Sequence, residues 1–130
     1  MAFIDDLELL FAGFPAIKLA ILFGSCRYQH EHSDSDLDIA VAMARPLSPS
    51  EKMELIEALA KFCGRPIDLI DLQTAGGLIL HRALTTGRVV RCTDRTLYAE
   101  IIKKMLFNQA DLMPYRRRIL AERRAAWIGK

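Results

Sequence analysis

Phe23-Gly24-Ser25-Cys26-Arg27-Tyr28-Gln29-His30-Glu31-His32-Ser33-Asp34-Ser35-Asp36-Leu37-Asp38-Ile39-Ala40-Val41 joins the end of one apolar run to the head of another. The first run, Ala16 to Phe23, stops at a Gly-Ser pair, and the second, Leu37 to Met43, starts between two acids. In a β-strand, residues i and i+2 point to the same face. Asp36 and Asp38 therefore aim together, with Cα atoms roughly 7 Å apart, while Leu37, Ile39 and Val41 turn toward a core. Two carboxylates on one face repel each other unless a cation lies between them. They are hard oxygen ligands suited to Mg²⁺, which takes one or two carboxylates and leaves its other positions to water and phosphate.

Gly24 and Ser25 supply the other half. A glycine lets the backbone turn sharply and approach a ligand closely. Ser25 can cap a short helix whose first N–H groups face an anion. Phosphate on one side and metal on the other are the parts needed for phosphoryl or nucleotidyl transfer. Either half alone reads as loop chemistry, since Gly-Ser and Asp-x-Asp are both common in solvated turns. Together they point to a site. A calcium EF-hand does not fit, because Ile39 stands where that loop requires glycine and Arg45 where it requires glutamate. No Gly-x-x-x-x-Gly-Lys-Ser/Thr run is present, which excludes a P-loop ATPase.

The bulk composition sets the class. The chain of 130 residues is one domain, 52% hydrophobic, with a mean hydropathy of +0.13, enough to bury a core. No apolar run approaches the length of a membrane span, and the acidic start Asp5-Asp6 lacks the basic head of a signal peptide. Cys26, Cys63 and Cys92 are far apart, with no Cys-x-x-Cys pair. That favours a reducing, cytoplasmic setting over a disulfide framework or a zinc site. Charge is uneven. Residues 116–130 hold six basic residues against Glu122, a balance of +5, so the rest of the chain carries −3 of the net +2. An anionic partner would dock on that tail.

The periodicity predicts a helix over residues 3–13, with Phe3, Leu7, Leu10 and Phe11 on one stripe, ended by Gly13 and Pro15. Strands are expected at Ala16 to Phe23 and Leu37 to Met43, flanking a short helix from Ser25 to about Gln29 and a loop from His30 to Ser35. Ser48-Pro49-Ser50-Glu51 is a helix start with N-cap, N1 proline and capping box. That helix runs to Cys63, with Met53, Ile56, Leu59 and Ala60 inward, and Gly64 stops it. Pro66 to Leu72 reads as a third strand containing Asp68 and Asp71, which face opposite sides. One of them is free to join the site while the other ends the strand.

A helix follows from Ala75 to Thr86, with Leu78, Leu80, Ala83 and Leu84 inward and Gly87 as cap, then a strand from Arg88 to Cys92. From Arg95 a long helix carries Leu97, Ile101, Met105 and Phe107. Pro114 breaks it, and a basic helix continues to about Trp127. Residues 95–130 thus form a C-terminal, partly basic helical segment. The β/α alternation gives an α/β fold.

Gly24-Ser25, ten residues, then Asp36-Leu37-Asp38 resembles the signature of the minimal nucleotidyltransferases of the DNA polymerase β-like superfamily. Within it, the chain is similar to the small MNT antitoxins paired with HEPN-domain toxins. The resemblance covers about Ile17 to Val90. It implies a small mixed sheet flanked by helices, with a C-terminal helical extension. It implies Asp36, Asp38 and Asp68 as catalytic, metal-binding carboxylates, with Asp71 as a strand-end cap. It also implies Gly24 and Ser25 as nucleotide-binding residues, two Mg²⁺ ions, and ATP as substrate. The acceptor would be a tyrosine hydroxyl of the HEPN toxin, which is modified with AMP and neutralised. One departure stands out. Many relatives carry a small residue, an Arg and a Gly where this chain has Arg27, Tyr28 and Gln29.

Two other functions compete. One is a non-catalytic antitoxin that blocks the HEPN ribonuclease by binding, for which the unusual loop leaves room. The other is RNA-directed nucleotide addition through the basic tail, the weaker reading because such tails are ordinarily solvated faces or protein interfaces. Of the lesser candidates, His30 and His32 are ordinarily solvated loop residues, with metal binding or substrate contact as the alternatives, Tyr28 is a loop anchor or a base stacker, and Arg82 and Arg88 are either phosphate contacts or, the commoner role, solvated surface residues. Trp127 reads as a packing or interface anchor.

Overall fold

The computed structural model describes residues 2–24 and 36–107. The short helix after Ser25, the His30–Ser35 loop, Pro114 and the basic tail lie outside them. The elements run α1 (Ala2–Ala12), β1 (Leu19–Phe23), β2 (Leu37–Ala42), α2 (Pro49–Cys63), β3 (Ile67–Asp71), α3 (Gly77–Thr86) and β4 (Arg88–Cys92). A further helix, α4, occupies 95–107.

The four strands lie in the order β3-β2-β1-β4. β1 is antiparallel to both β2 and β4, and β2 is parallel to β3, so the sheet is mixed. The α2 crossover explains the parallel pair, since parallel neighbours need a long connection. The alternation of the strands builds two cores. Leu22, Leu37, Ile39, Val41 and Leu69 meet Leu7 and Phe11 of α1 and Leu55 and Leu59 of α2. On the other face Leu19, Ile21, Phe23, Ala40, Ala42 and Leu72 meet Leu80 and Ala83 of α3 and Leu97, Ile101 and Met105 of α4.

The start of α2 forms as its sequence dictates. The Ser48 hydroxyl accepts from the Glu51 amide at 3.2 Å, and the Glu51 carboxylate accepts from the Ser48 amide at 2.8 Å. Gly64 ends the helix at φ 69, in the left-handed region that glycine enters without strain.

Several boundaries differ from expectation. β1 begins at Leu19, because Phe14 and Ile17 donate to Phe11 and Phe14 carbonyls in successive turns before the ladder starts. α3 begins at Gly77, after a turn in which the Thr74 amide donates to the Asp71 carbonyl. Met53 is 59% exposed, and Leu55 takes the inward place with Leu59. The two-residue step from Met53 to Leu55 turns the helix by more than half a revolution. Leu78 is likewise exposed, two positions before buried Leu80, and Phe107 of α4 is exposed.

Candidate active site

β1 runs antiparallel to β2, and β2 parallel to β3, so the C-terminal end of β1 meets the N-terminal ends of β2 and β3. At this edge Phe23 pairs with Asp38, and Asp38 pairs with Asp68. Asp38 alternates with Ala40 and Ala42, so it points to the α3 side of the sheet. Asp68 stands beside it on the edge strand, sharing that face with Ile70, which packs on the same core. The two carboxyl groups are within hydrogen-bonding reach of each other.

Asp38 feels this crowding. Its carboxyl is held above the ordinary value of 3.8 first by burial, then by the charge of Asp68 and the hydrogen bond between the two, and further by Asp36. Arg82 acts in the opposite sense and favours the ionised form. Asp36 is exposed, one residue before β2 begins.

Gly24 closes the site from behind. It is buried with φ 73, a conformation that L side chains rarely adopt. A Cβ placed on it would run into Oδ2 of Asp38 and come within 3.1 Å of its Cγ. The glycine is therefore required twice, by its backbone conformation and by the carboxylate lying against it.

Asp71 is elsewhere. Its side chain points to the α2 face and is buried, with Oδ2 accepting from the Leu47 amide at 2.8 Å and Oδ1 from the Gln73 amide at 2.9 Å. Gln73 in turn donates from Nε2 to the Met43 carbonyl at 2.7 Å, and Lys104 of α4 donates to the Gln73 carbonyl at 2.7 Å. This network ties the far end of β3 to the α2 connector and to α4.

The structure thus brings Gly24, Asp36, Asp38 and Asp68 to one sheet edge and sets Asp71 apart. Ser25, Cys26, Arg27–Gln29, His30 and His32 lie outside the described residues. Among the described residues, no three His, Cys, Asp or Glu side chains surround one ion position. The cluster is a close pair, Asp38 and Asp68, with Asp36 outside it. That pair fits a hard divalent cation, because two oxygen ligands already face each other with their repulsion only partly offset. An apolar cavity of about 200 Å³ lies on the opposite face, lined by Phe14, Ile17, Met43, Leu47 and Leu55, and takes no part in this edge.

The sequence leaves Arg82 and Arg88 alike between solvent and phosphate contact, with solvent the commoner role. Arg82 lies on α3, over the carboxylate-bearing face, next to buried Ala83. Arg88 separates from it: it pairs with Leu22, whose side chain is on the α1 and α2 face. The distinction depends on the packing of α3, and a reader of the sequence alone could have found it only by knowing which face that helix covers.

Comparison with curated proteins gave no match. Solved structures gave several. The chain is similar to a toxin–antitoxin crystallised with AMP-PNP, with 27% identity and a TM-score of 0.75 over 92% of this chain and 96% of that one. It is similar to a mutant MntA–HpeT toxin–antitoxin, with 26% identity and a TM-score of 0.74 over 92% and 96% of the two chains. A complex of tri-AMPylated Shewanella oneidensis HEPN toxin with MNT antitoxin matches with 25% identity and a TM-score of 0.70 over 92% and 93%. Residues 6–96, most of the chain and all of the carboxylate edge, match the family described as Polymerase beta, Nucleotidyltransferase, and to that family this chain belongs.

Proposed function

We propose that this protein is an antitoxin that transfers AMP from ATP to a tyrosine hydroxyl of a HEPN-type toxin. The observation that carries the reading is the facing pair of Asp38 and Asp68 backed by Gly24, in a chain of the nucleotidyltransferase family. The similar chains crystallised with AMP-PNP and with an AMPylated HEPN toxin support the nucleotide and the partner.

Asp36, Asp38 and Asp68 would hold the Mg²⁺ ions, which when bound neutralise carboxylate and phosphate charge around the reacting phosphorus. Gly24 gives the triphosphate a close backbone approach, and Ser25 offers it a hydroxyl. The acceptor oxygen attacks the α-phosphorus, a P–O bond forms, the bond to the β-phosphate oxygen breaks, and pyrophosphate leaves. The hydroxyl proton passes to the Asp68 carboxylate and on to water. Most of the acceleration comes from alignment and charge neutralisation.

A steric antitoxin is the second reading, favoured by the Arg27-Tyr28-Gln29 departure in the nucleotide-side loop. Radiolabelled ATP incubated with the chain and its HEPN partner separates the two. Label on a partner tyrosine, abolished by Asp36→Asn and Asp38→Asn, is the expected result. Partner inhibition without any label supports the steric reading, and undiminished labelling by both variants overturns the site.

A further inference from the structure

We propose that Arg82 is a phosphate-binding residue of this site, taking the β,γ-phosphates of the nucleotide at the rim of the carboxylate edge; the inference rests on the nucleotidyltransferase reading above. Three observations lead there. The first is placement. α3 covers the same sheet face as Asp38 and Asp68, with Leu80 and Ala83 buried against that face. Its last turn is pressed onto β1 so tightly that a Cβ on Gly87 would meet the Ala83 carbonyl and the Ile21 side chain. Arg88, the next residue, pairs with Leu22, two positions before Gly24. The C-terminal turn of α3 is therefore fixed beside the end of β1, where the site begins.

The second observation is availability. Arg82 is exposed, and among the described residues its guanidinium has no hydrogen-bond or ion-pair partner. Arg45 and Arg91, by contrast, are engaged with Glu51 and Glu8. The third is proximity: the Arg82 guanidinium stands within charge–charge range of the Asp38 carboxylate. Without a cation the guanidinium offsets part of the negative charge crowding Asp38. When a divalent cation takes over the carboxylates, the same cationic group is released to the incoming anion. Arginine suits that role because its planar fork binds phosphate oxygens bidentately. Arg88 cannot share it, since its side chain lies on the other face.

A merely structural arginine on the exposed face of α3 would do nothing for a ligand. Titration of Arg82→Gln and Arg82→Lys with AMP-PNP and with AMP, each with Mg²⁺, distinguishes the two, with melting temperature measured alongside. The expected result is about a tenfold rise in Kd for AMP-PNP with Arg82→Gln. Arg82→Lys should recover part of it, AMP binding should be unchanged, and melting should stay near that of the unaltered chain. Equal binding of AMP-PNP by the variant and the unaltered chain overturns the assignment alone, as does an equal loss for AMP and AMP-PNP. Failure of the unaltered chain to bind either nucleotide overturns this inference together with the function it rests on.

Discussion

Asp38 is a carboxylate that its own neighbours make costly to ionise. Its pKa is raised, so the stability it contributes is present below the ordinary value of 3.8 and is lost as the pH rises through the folded-state value. Asp38→Asn should therefore raise the melting temperature at pH 7, and the gain should vanish in acid below that ordinary value. Mg²⁺ should raise the melting temperature of the unaltered chain and have much less effect on the variant. Thermal melts across pH, with and without Mg²⁺, check both. Asp71 behaves in the opposite way. Asp71→Ala leaves the part-buried Leu47 and Gln73 amides without their acceptor, at a cost of about 1 kcal/mol each, the lower end for a lost hydrogen bond because water reaches both donors. Denaturant titration should register that loss while AMP transfer per folded molecule holds, whereas Asp68→Ala should lose transfer and keep its stability. Strand alternation in the sequence separates Asp68 from Asp71, but only the packing reveals that Asp71 bridges to Leu47, 24 positions away.

At the scale of elements, α2 is the part whose sequence and structure agree most closely. The Ser48 cap, Pro49, Glu51 and Gly64 all act locally, so the chain's own chemistry fixes both ends. Ser48→Ala should cost about 1 kcal/mol by loss of the cap, read as a shift in the denaturant midpoint with unchanged slope. Glu51 adds a pH signature. Its pKa is pulled down to about 2, first by the hydrogen bond from Arg45 and then by the Ser48 amide. The stability it contributes is present above the ordinary carboxylate value of 4.5 and is lost as the pH falls through about 2. α3 is where local reading was weakest. It opens on two glycines, Gly76 as cap and Gly77 as first residue, no side chain caps it, and its inward face is set by the sheet, so periodicity does not tell Leu78 from Leu80. Asp94 is a cap the sequence reading passed over; its Oδ1 accepts from the Leu97 amide at 3.0 Å and so starts α4.

For the whole molecule, the β/α alternation gave the class, but neither the strand order nor the mixed directions follow from spacing. Those depend on which crossovers cover which face. The described cores draw on residues no later than Met105, and the +5 balance of residues 116–130 lies beyond them. A chain truncated after Met113 should accordingly keep its Mg²⁺-dependent melting while binding the HEPN partner more weakly. The full chain's association should slow as salt rises, because a charged segment steers encounter chiefly at low ionic strength. Surface plasmon resonance at two salt concentrations measures both effects. Full-strength, salt-independent binding by the truncated chain would remove the tail from the interface.

The in-register pairing of Asp38 with Asp68 also bears on how the molecule opens. β3 is an edge strand with β2 as its neighbour, and closing that ladder forces two anions together at its first rungs. The ladder should therefore be the first part of the sheet to breathe at neutral pH without a divalent cation. Amides of Ile67–Asp71 would then exchange with solvent ahead of those in β1, and a bound cation would slow them selectively. Metal loading would act as a latch on an edge strand, so the lifetime of the folded protein, and its resistance to proteolysis, would track the divalent cation concentration around it.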